Sequence, residues 1–460
     1  MKGAETMLGR EVNLMLAAAL AVSTCAAQTA TFANLYNFQG FPIDGQAPTG
    51  PLLLVGDGTL YGTTTLGGAG GCSTGVGCGV AYELKPPAGS GGVWTESLIY
   101  TFGAYPNAAL PNGGVIVSSE ALYGTSAGGA NNYGAVFQLS PPAKASATWS
   151  ESLIFSANFP ATDDPDGPLL PGPDGVFYGT TTGFVSTRSG HVGGATVFVL
   201  TPPAATGKNW TESTLYTFLG HSKAGNNPRA GLISIGGALF GTDYYGGNST
   251  CSQDGCGVVF EILPPLIAGE ATESPVHEFK GPPLDGAHPT APLTAGPDGT
   301  LYGTTLYGGT NSQCITKATV RGCGTVFQLS PPASPGGGWT ETVLYSFTGL
   351  NGDGALPAAG VVVGEDGSLY GTTQYGGNET VGSPCESDGA SGCGTAFRLT
   401  PPATPGSAWT ELVLHSFSGM NGEGANPESP LLLNSSGVLY GTTYGGGSTG
   451  AGTLFSLTLN

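Results

Sequence analysis

The chain has 460 residues, of which 81 are Gly and 35 are Pro, while only 9% are charged. Its formal net charge of −19 comes from 31 acidic and 12 basic residues with no Lys or Arg run, so no nucleic-acid partner is expected. The Gly and Pro load argues for short strands joined by turns, and a mean hydropathy near zero argues against both a disordered chain and a membrane bundle.

Residues 1–27 read as an export signal. Lys2 and Arg10 precede the apolar run Val12–Val22, broken only by Asn13, and Cys25-Ala26-Ala27 offers small residues for cleavage before Gln28. The run is too short for a comfortable membrane span, so the mature chain is expected to carry none. Glu5 and Glu11 are unusual in such a leader, which makes Met7 an alternative start. A lipidated Cys25 is the alternative to cleavage, and Thr24 fits it poorly.

Beyond the leader the chain is organised by Leu60-Tyr61-Gly62-Thr63-Thr64. This pentapeptide recurs at Leu122–Ser126, Phe177–Thr181, Leu239–Asp243, Leu301–Thr305, Leu369–Thr373 and Leu439–Thr443, at intervals of 55–70 residues. Such a period predicts a repeat architecture. Each repeat predicts four strands. In the first, Leu52–Val55 is a short apolar run expected to be buried on both faces, and Gly56-Asp57-Gly58 is a hairpin turn. Leu60–Thr64 follows, and a long glycine-rich loop leads to a third strand, Gly79–Leu84, stopped by Pro86-Pro87. Trp94-Thr95-Glu96 opens the fourth, which runs to Phe102. The third-strand aromatic returns at Phe137, Phe198, Phe260, Phe327, Phe397 and Phe455. The tryptophan returns at Trp149, Trp210, Trp339 and Trp409, with Ala271 in its place in the fourth repeat. These aromatics predict core and inter-blade packing.

The last repeat stops at Leu457–Asn460, straight after its third strand. Ahead of the first repeat, Leu35-Tyr36-Asn37-Phe38 matches the fourth-strand pattern of Leu215–Phe218 and Leu344–Phe347. The N-terminal segment is therefore expected to supply the outer strand of the last blade. The predicted fold is all-β, a monomeric seven-bladed β-propeller of four-stranded blades spanning 28–460 and closed by that strand. A β-helix is the alternative; it would not need the extra strand and usually has shorter repeats.

The run G-x-LYGTT-x-x-GG, then G-T-V-F-x-L-x-PP, then W-T-E and L-Y-x-F, resembles the GloVer tandem repeat of bacterial exported "choice-of-anchor" proteins. The resemblance covers residues 33–460 and is best at Leu301–Gly309 with Gly324–Leu329, and at Leu369–Gly377 with Gly394–Leu399. The third repeat departs most, with Gly183-Phe184 where others carry Tyr-Gly-Gly. The resemblance implies a surface or secreted protein with a variable C-terminal anchor, and no established activity or catalytic residues. After the last repeat there is no Pro-rich spacer, apolar tail or sorting motif, so anchoring is not expected here.

Eight cysteines form local pairs, Cys72/Cys78, Cys251/Cys256, Cys314/Cys323 and Cys385/Cys393, each inside one second-to-third-strand loop. An even, locally paired set in an exported chain predicts four disulfides, whereas zinc would need four donors converging. His277 and His415 take the place of Tyr100, Tyr216 and Tyr345 in fourth strands and read as structural substitutes. His191, His221 and His288 lie in loops of different repeats, without metal or triad spacing. Asp57, Asp174, Asp298 and Asp366 each precede Gly in a first-to-second-strand hairpin. Asp44, Asp166, Asp285, Asp353 and Glu423 each precede Gly in the connection to the next blade. Asn351-Gly352-Asp353-Gly354 is faintly like a calcium loop but lacks the bidentate Glu. A glycosidase needs two carboxylates about 5–10 Å apart, and no pair stands out. No catalytic residue, metal or cofactor is expected. Tyr245, Tyr307, Tyr375 and Tyr444 open four of the long loops and are candidates to stack on sugars, against loop packing as the plainer reading. The leading functional expectation is a secreted or cell-surface module that binds or scaffolds a glycan or cell-surface protein. It would use the face bearing these loops, near repeats four to six. The alternatives are a polysaccharide hydrolase or lyase and a purely structural envelope protein.

Overall fold

The computed structural model describes residues 29–72, 75–89, 91–104, 106–129, 133–144, 147–157, 164–183, 185–186, 191–192, 194–205, 209–218, 227–248, 250–251, 254–264, 271–310, 314, 321–334, 337–378, 385–387, 390–404 and 406–460. The leader at 1–27 and His221 lie outside them, as does the side chain of His191. Among the described residues, no helix is long and apolar enough to cross a membrane.

Seven four-stranded antiparallel sheets carry the described chain. Blade 1 is Leu53–Leu54, Leu60–Thr64, Val80–Lys85 and Thr95–Thr101, paired in that order from the axis outward. Blades 2 to 6 repeat the order from first strands that begin at Ala108, Leu170, Ile233, Thr294 and Val362. Blade 7 takes Leu432–Leu433, Val438–Thr443 and Thr453–Leu459, and its outer strand is Ala30–Asn37. That N-terminal strand runs antiparallel to the last one, from Ala30↔Leu459 to Asn37↔Thr453. Its register skips Leu35, as the fourth strands of blades 1, 5 and 6 skip Ile99, Leu344 and Leu414. The segment is thus a fourth strand down to its bulge, and the ring closes as the sequence predicts.

The repeated pentapeptide owes each letter to a contact. Its first residue is buried in every blade, as at Leu60, Leu301 and Leu439. Its glycine leaves room for a third-strand ring: a Cβ on Gly303 would sit 2.4 Å from Phe327, and one on Gly441 2.4 Å from Phe455. Its first threonine ties five of the blades to the next, while the Thr63 and Thr372 hydroxyls of blades 1 and 6 are buried without a partner. Thr125, Thr180, Thr242 and Thr304 donate to the carbonyls of Gly167, Ala230, Ala291 and Ala359 at 2.9–3.1 Å. Thr442 donates to Pro48 at 3.2 Å, joining blade 7 to blade 1. In blades 3, 5, 6 and 7 the second threonine shares a hydrogen bond with the threonine that opens the third strand, as in Thr305 with Thr325 at 2.7 Å.

Aromatic rings fill the gaps between blades. Phe102, Phe218, Phe279, Phe347 and Phe417 directly follow fourth strands and meet Phe137, Phe260, Phe327, Phe397 and Phe455 of the next blade at 4.8–5.1 Å. Phe38 of the closing strand meets Tyr82 in the same way, at 5.1 Å. Trp94, Trp210 and Trp339 rest on Tyr440, Tyr123 and Phe240 of the preceding blade.

The first strands differ from expectation. In blade 1 the strand is two residues long, and Leu53 and Leu54 are only half-buried. An innermost strand borders the axial channel, so it has less sheet to pack against. The core anchor is the residue just before it, Leu52 in blade 1, Leu293 in blade 5 and Val361 in blade 6, each buried.

Candidate functional site

Ahead of the first strand in six blades, and within it in blade 2, lies one short segment of the form Pro-x-small-Pro/Gly-Leu/Val. It is Pro48–Leu52, Pro111–Val115, Pro165–Leu169, Pro228–Leu232, Pro289–Leu293, Pro357–Val361 and Pro427–Leu431. The residue before the proline is left-handed in six blades although none is Gly: Ala47, Leu110, Asp164, His288, Leu356 and Asn426 have φ of 39–58°. Such backbone is costly, and worse before proline, so it persists only where its surroundings hold it. They do. The N–H groups of Ala47, Leu110, His288, Leu356 and Asn426 donate to carbonyls of the preceding blade's second-to-third-strand loop, at 2.7–3.0 Å. The carbonyls of Ala47, Asp164, His288, Leu356 and Asn426 accept from Thr65, Thr182, Leu306, Gln374 and Tyr444, just past the second strands, at 3.0–3.1 Å.

With the backbone pinned, the residue after each proline borders the axis. These residues are Thr49, Asn112, Asp166, Arg229, Thr290, Ala358 and Glu428, and all seven line one cavity of about 500 Å³. Pro51, Pro168, Pro292 and Pro430 give it apolar walls, and Leu306 and Gln374 add a second tier.

The polar groups are braced in pairs. Asn112 Nδ2 donates to Asp166 Oδ1. Burial pushes the Asp166 carboxyl up to about 6, with the Arg229 guanidinium pulling the other way. Gln374 Nε2 donates to Glu428 Oε1 at 2.5 Å, and burial again raises that carboxyl against the pull of the amide. Arg229 Nε donates to Asn227 Oδ1 at 2.6 Å, and its guanidinium lies 5.0 Å over the Tyr244 ring. Asp166 and Glu428 come from blades 3 and 7, on opposite walls. The mouth therefore offers acceptors, amide donors, one cation and hydroxyls around an apolar wall, an arrangement that can hydrogen-bond a small polar ligand from several sides.

The predicted tyrosines are not among the cavity-lining residues. Tyr307 and Tyr375 sit in two-residue ladders, paired with Ala287 and Ala355, and are half-buried against the inter-blade core. Tyr245 stands edge-on to Tyr244 at 4.7 Å and to His288 at 5.7 Å. Tyr444 is 43% exposed and belongs to a different position. Ala425 pairs with Gly445, where Ala355 pairs with Tyr375, so Tyr444 corresponds to Gln374, Leu306 and Tyr244 at the channel mouth. The extra glycine of Gly445-Gly446-Gly447 hides this one-residue shift in the sequence.

Asp166 also parts from the group in which its following glycine places it. Asp44, Asp285 and Asp353 lie four residues before the proline and hold the turn of the connection, accepting from the N–H groups of Gln39, Lys280 and Thr348 at 2.6–2.8 Å. Asp166 follows its proline instead and faces the channel. Pro165 is the signal that could have found it, since the Pro-x-small pattern recurs seven times.

All four within-loop disulfides are formed, with Cα–Cα distances of 5.0–5.4 Å. The carbonyls of Cys78, Cys256, Cys323 and Cys393 accept the N–H groups of the left-handed residues Leu110, His288, Leu356 and Asn426. Each disulfide thus braces the backbone behind the cavity wall. Formed disulfides fit an extracytoplasmic protein.

No curated protein matches the chain in sequence. Among solved structures it is similar to a luciferin-regenerating enzyme, at 13% identity and TM-score 0.42, covering 83% of this chain and 98% of that one. It is similar to a gluconolactonase from Xanthomonas campestris, at 12% identity and TM-score 0.41, covering 95% and 93%. It is also similar to an ulvan lyase, at 11% identity and TM-score 0.43, covering 71% and 75%. Likenesses this remote say nothing about the chemistry of this chain. In sequence the chain matches the Gloeobacter/Verrucomicrobia repeat over residues 145–383 and 315–460, and it belongs to that family.

Proposed function

We propose that the protein is an exported binding module that takes a hydroxyl-rich ligand, a segment of glycan, at the mouth of its central channel. The observation that carries the reading is the Pro-x-small segment, which keeps its proline, its small residue and its closing Leu or Val in all seven blades, while the cavity-lining residue after the proline ranges over Thr, Asn, Asp, Arg, Ala and Glu. Two amide–carboxylate pairs, Asn112 with Asp166 and Gln374 with Glu428, are held ready in surroundings that disfavour charge. Preorganised donors and acceptors suit sugar hydroxyls, because less freedom is lost on binding. Both carboxylates are already engaged by amides, which favours holding a ligand over attacking one. The leader and the four disulfides support export.

The test is a glycan array on residues 28–460, followed by calorimetry on the best ligand. Arg229→Ala and Glu428→Gln each weaken binding by about 10-fold or more, the usual effect of losing a hydrogen bond to a charged group. Tyr307→Ala and Tyr375→Ala leave it nearly unchanged. The channel reading fails if binding survives the first pair and is lost in the second, which would move the ligand to the loop tyrosines.

A further inference from the structure

Away from the channel, the blade interfaces carry a second recurring polar cluster. It joins the aromatic near the end of one fourth strand, the turn carboxylate that follows it, and the Glu of the next blade's Trp-Thr-Glu or its equivalent. Tyr36, Asp44 and Glu96 form it between blades 7 and 1, with Tyr36 Oη donating to Asp44 at 2.6 Å. Tyr345, Asp353 and Glu411 form it between blades 5 and 6. In both a phenol hydroxyl supplies a proton to facing carboxylates.

Between blades 4 and 5 the same positions hold His277, Asp285 and Glu341. An imidazole can offer a lone pair where a phenol offers a proton, so among the described residues this interface alone presents one nitrogen and two carboxylates. The three donor atoms lie within 4.8 Å of one another. His277 Nε2 is 3.3 Å from Asp285 Oδ2, and both side chains are largely shielded, at 15% and 10% exposure. Glu341 Oε1 is fully enclosed and has no hydrogen-bond partner. Asp285 also raises the Glu341 carboxyl, adding to the larger effect of burial, while His277 and Lys280 act against it. Two facing carboxylates, one with an unmet oxygen, call for positive charge.

We propose that His277, Asp285 and Glu341 form a divalent-metal site that clamps blade 4 to blade 5. One imidazole and two carboxylates suit Zn²⁺ or Mn²⁺, with water completing the shell. Donors bonded to one such ion at about 2.0–2.2 Å lie about 3–3.5 Å apart, so the side chains close by about an ångström on binding. The backbone N–H groups of Lys280 and Gly286 keep Asp285 oriented meanwhile, at 2.8 and 2.6 Å. The remaining histidine cluster is an internal control. His415 faces Glu423, but Phe32 stands in the place of the second carboxylate and stacks on the imidazole at 3.9 Å. That interface lacks the third donor.

The experiment uses tag-free protein of residues 28–460, stripped with chelator and titrated with ZnCl₂ by calorimetry and by melting temperature. The intact protein takes up one equivalent and melts higher. His277→Tyr installs the residue of the sister interfaces, so the fold is kept, and it loses affinity by about 10-fold or more, as does Glu341→Gln. His415→Tyr binds like the parent. Absence of zinc uptake by the parent, or undiminished uptake by His277→Tyr, overturns the proposal.

Discussion

Single residues in this protein are chosen by the ring they touch. Gly303 has an ordinary extended backbone, so its role is space rather than turn geometry. A Cβ there would lie 2.4 Å from Phe327 Cζ and 3.0 Å from Leu293 Cδ2. Phe327 and Leu293 are both buried and cannot swing into solvent. Gly303→Ala is therefore expected to cost about 1–3 kcal/mol, the usual range for overpacking a filled core. Urea denaturation measures it. Phe327→Leu shortens the offending ring, so the double variant should be less destabilised than the sum of the two changes. A simple sum would mean that the glycine is there for another reason. The sequence shows this glycine only as a constant letter, because the clash that requires it lies on the neighbouring strand.

At the scale of the element, the second-to-third-strand loops are where chain entropy and function meet. Their cysteines are only 5–9 residues apart, so their partners can be read from the sequence. In the chain-entropy picture each small loop gains about 2–3 kcal/mol from its crosslink. The structure adds that Cys323 also receives the N–H of Leu356, one of the left-handed residues behind the cavity. Replacing Cys314 and Cys323 together by Ser should lower stability by about that 2–3 kcal/mol. Peptide mapping of the unreduced protein should recover the four within-loop pairs and no free thiol. Pairs between repeats, or free thiols under denaturing conditions, would contradict this assignment.

For the whole molecule, closure decides stability. The strand Ala30–Asn37 covers the edge of Thr453–Leu459, and Phe38 fills the gap beside Tyr82. Asn460 N–H and the Thr449 hydroxyl bond back to Thr29 and Phe38, so the two chain regions hold each other at both ends of the ladder. Deleting residues 28–40 leaves an unpaired edge and an unfilled aromatic slot. The expected outcome is a lower melting temperature with aggregation, since a bare strand edge recruits other chains. Unchanged melting and solubility after the deletion would show that the ring does not depend on this strand.

The blade count, the four-strand order, the closing strand and the disulfide pairs could all be read from the sequence. They rest on signals that are local or that repeat along the chain: a period, a turn, a pair of cysteines a few residues apart. The site could not be read that way. Asp166 looked like Asp285 because both precede glycine, and Tyr444 looked like Tyr375 because both precede a glycine pair. Only the register of the ladders separates them. Thr49 and Glu428 lie at opposite ends of the sequence, yet they line one cavity because each blade turns the residue after its proline toward a common axis. His277 and Glu341 meet because one fourth strand packs beside the next. A repeat sequence specifies the unit and its neighbour contacts; what gathers at the axis and across each interface is decided by the rotation that closes the ring.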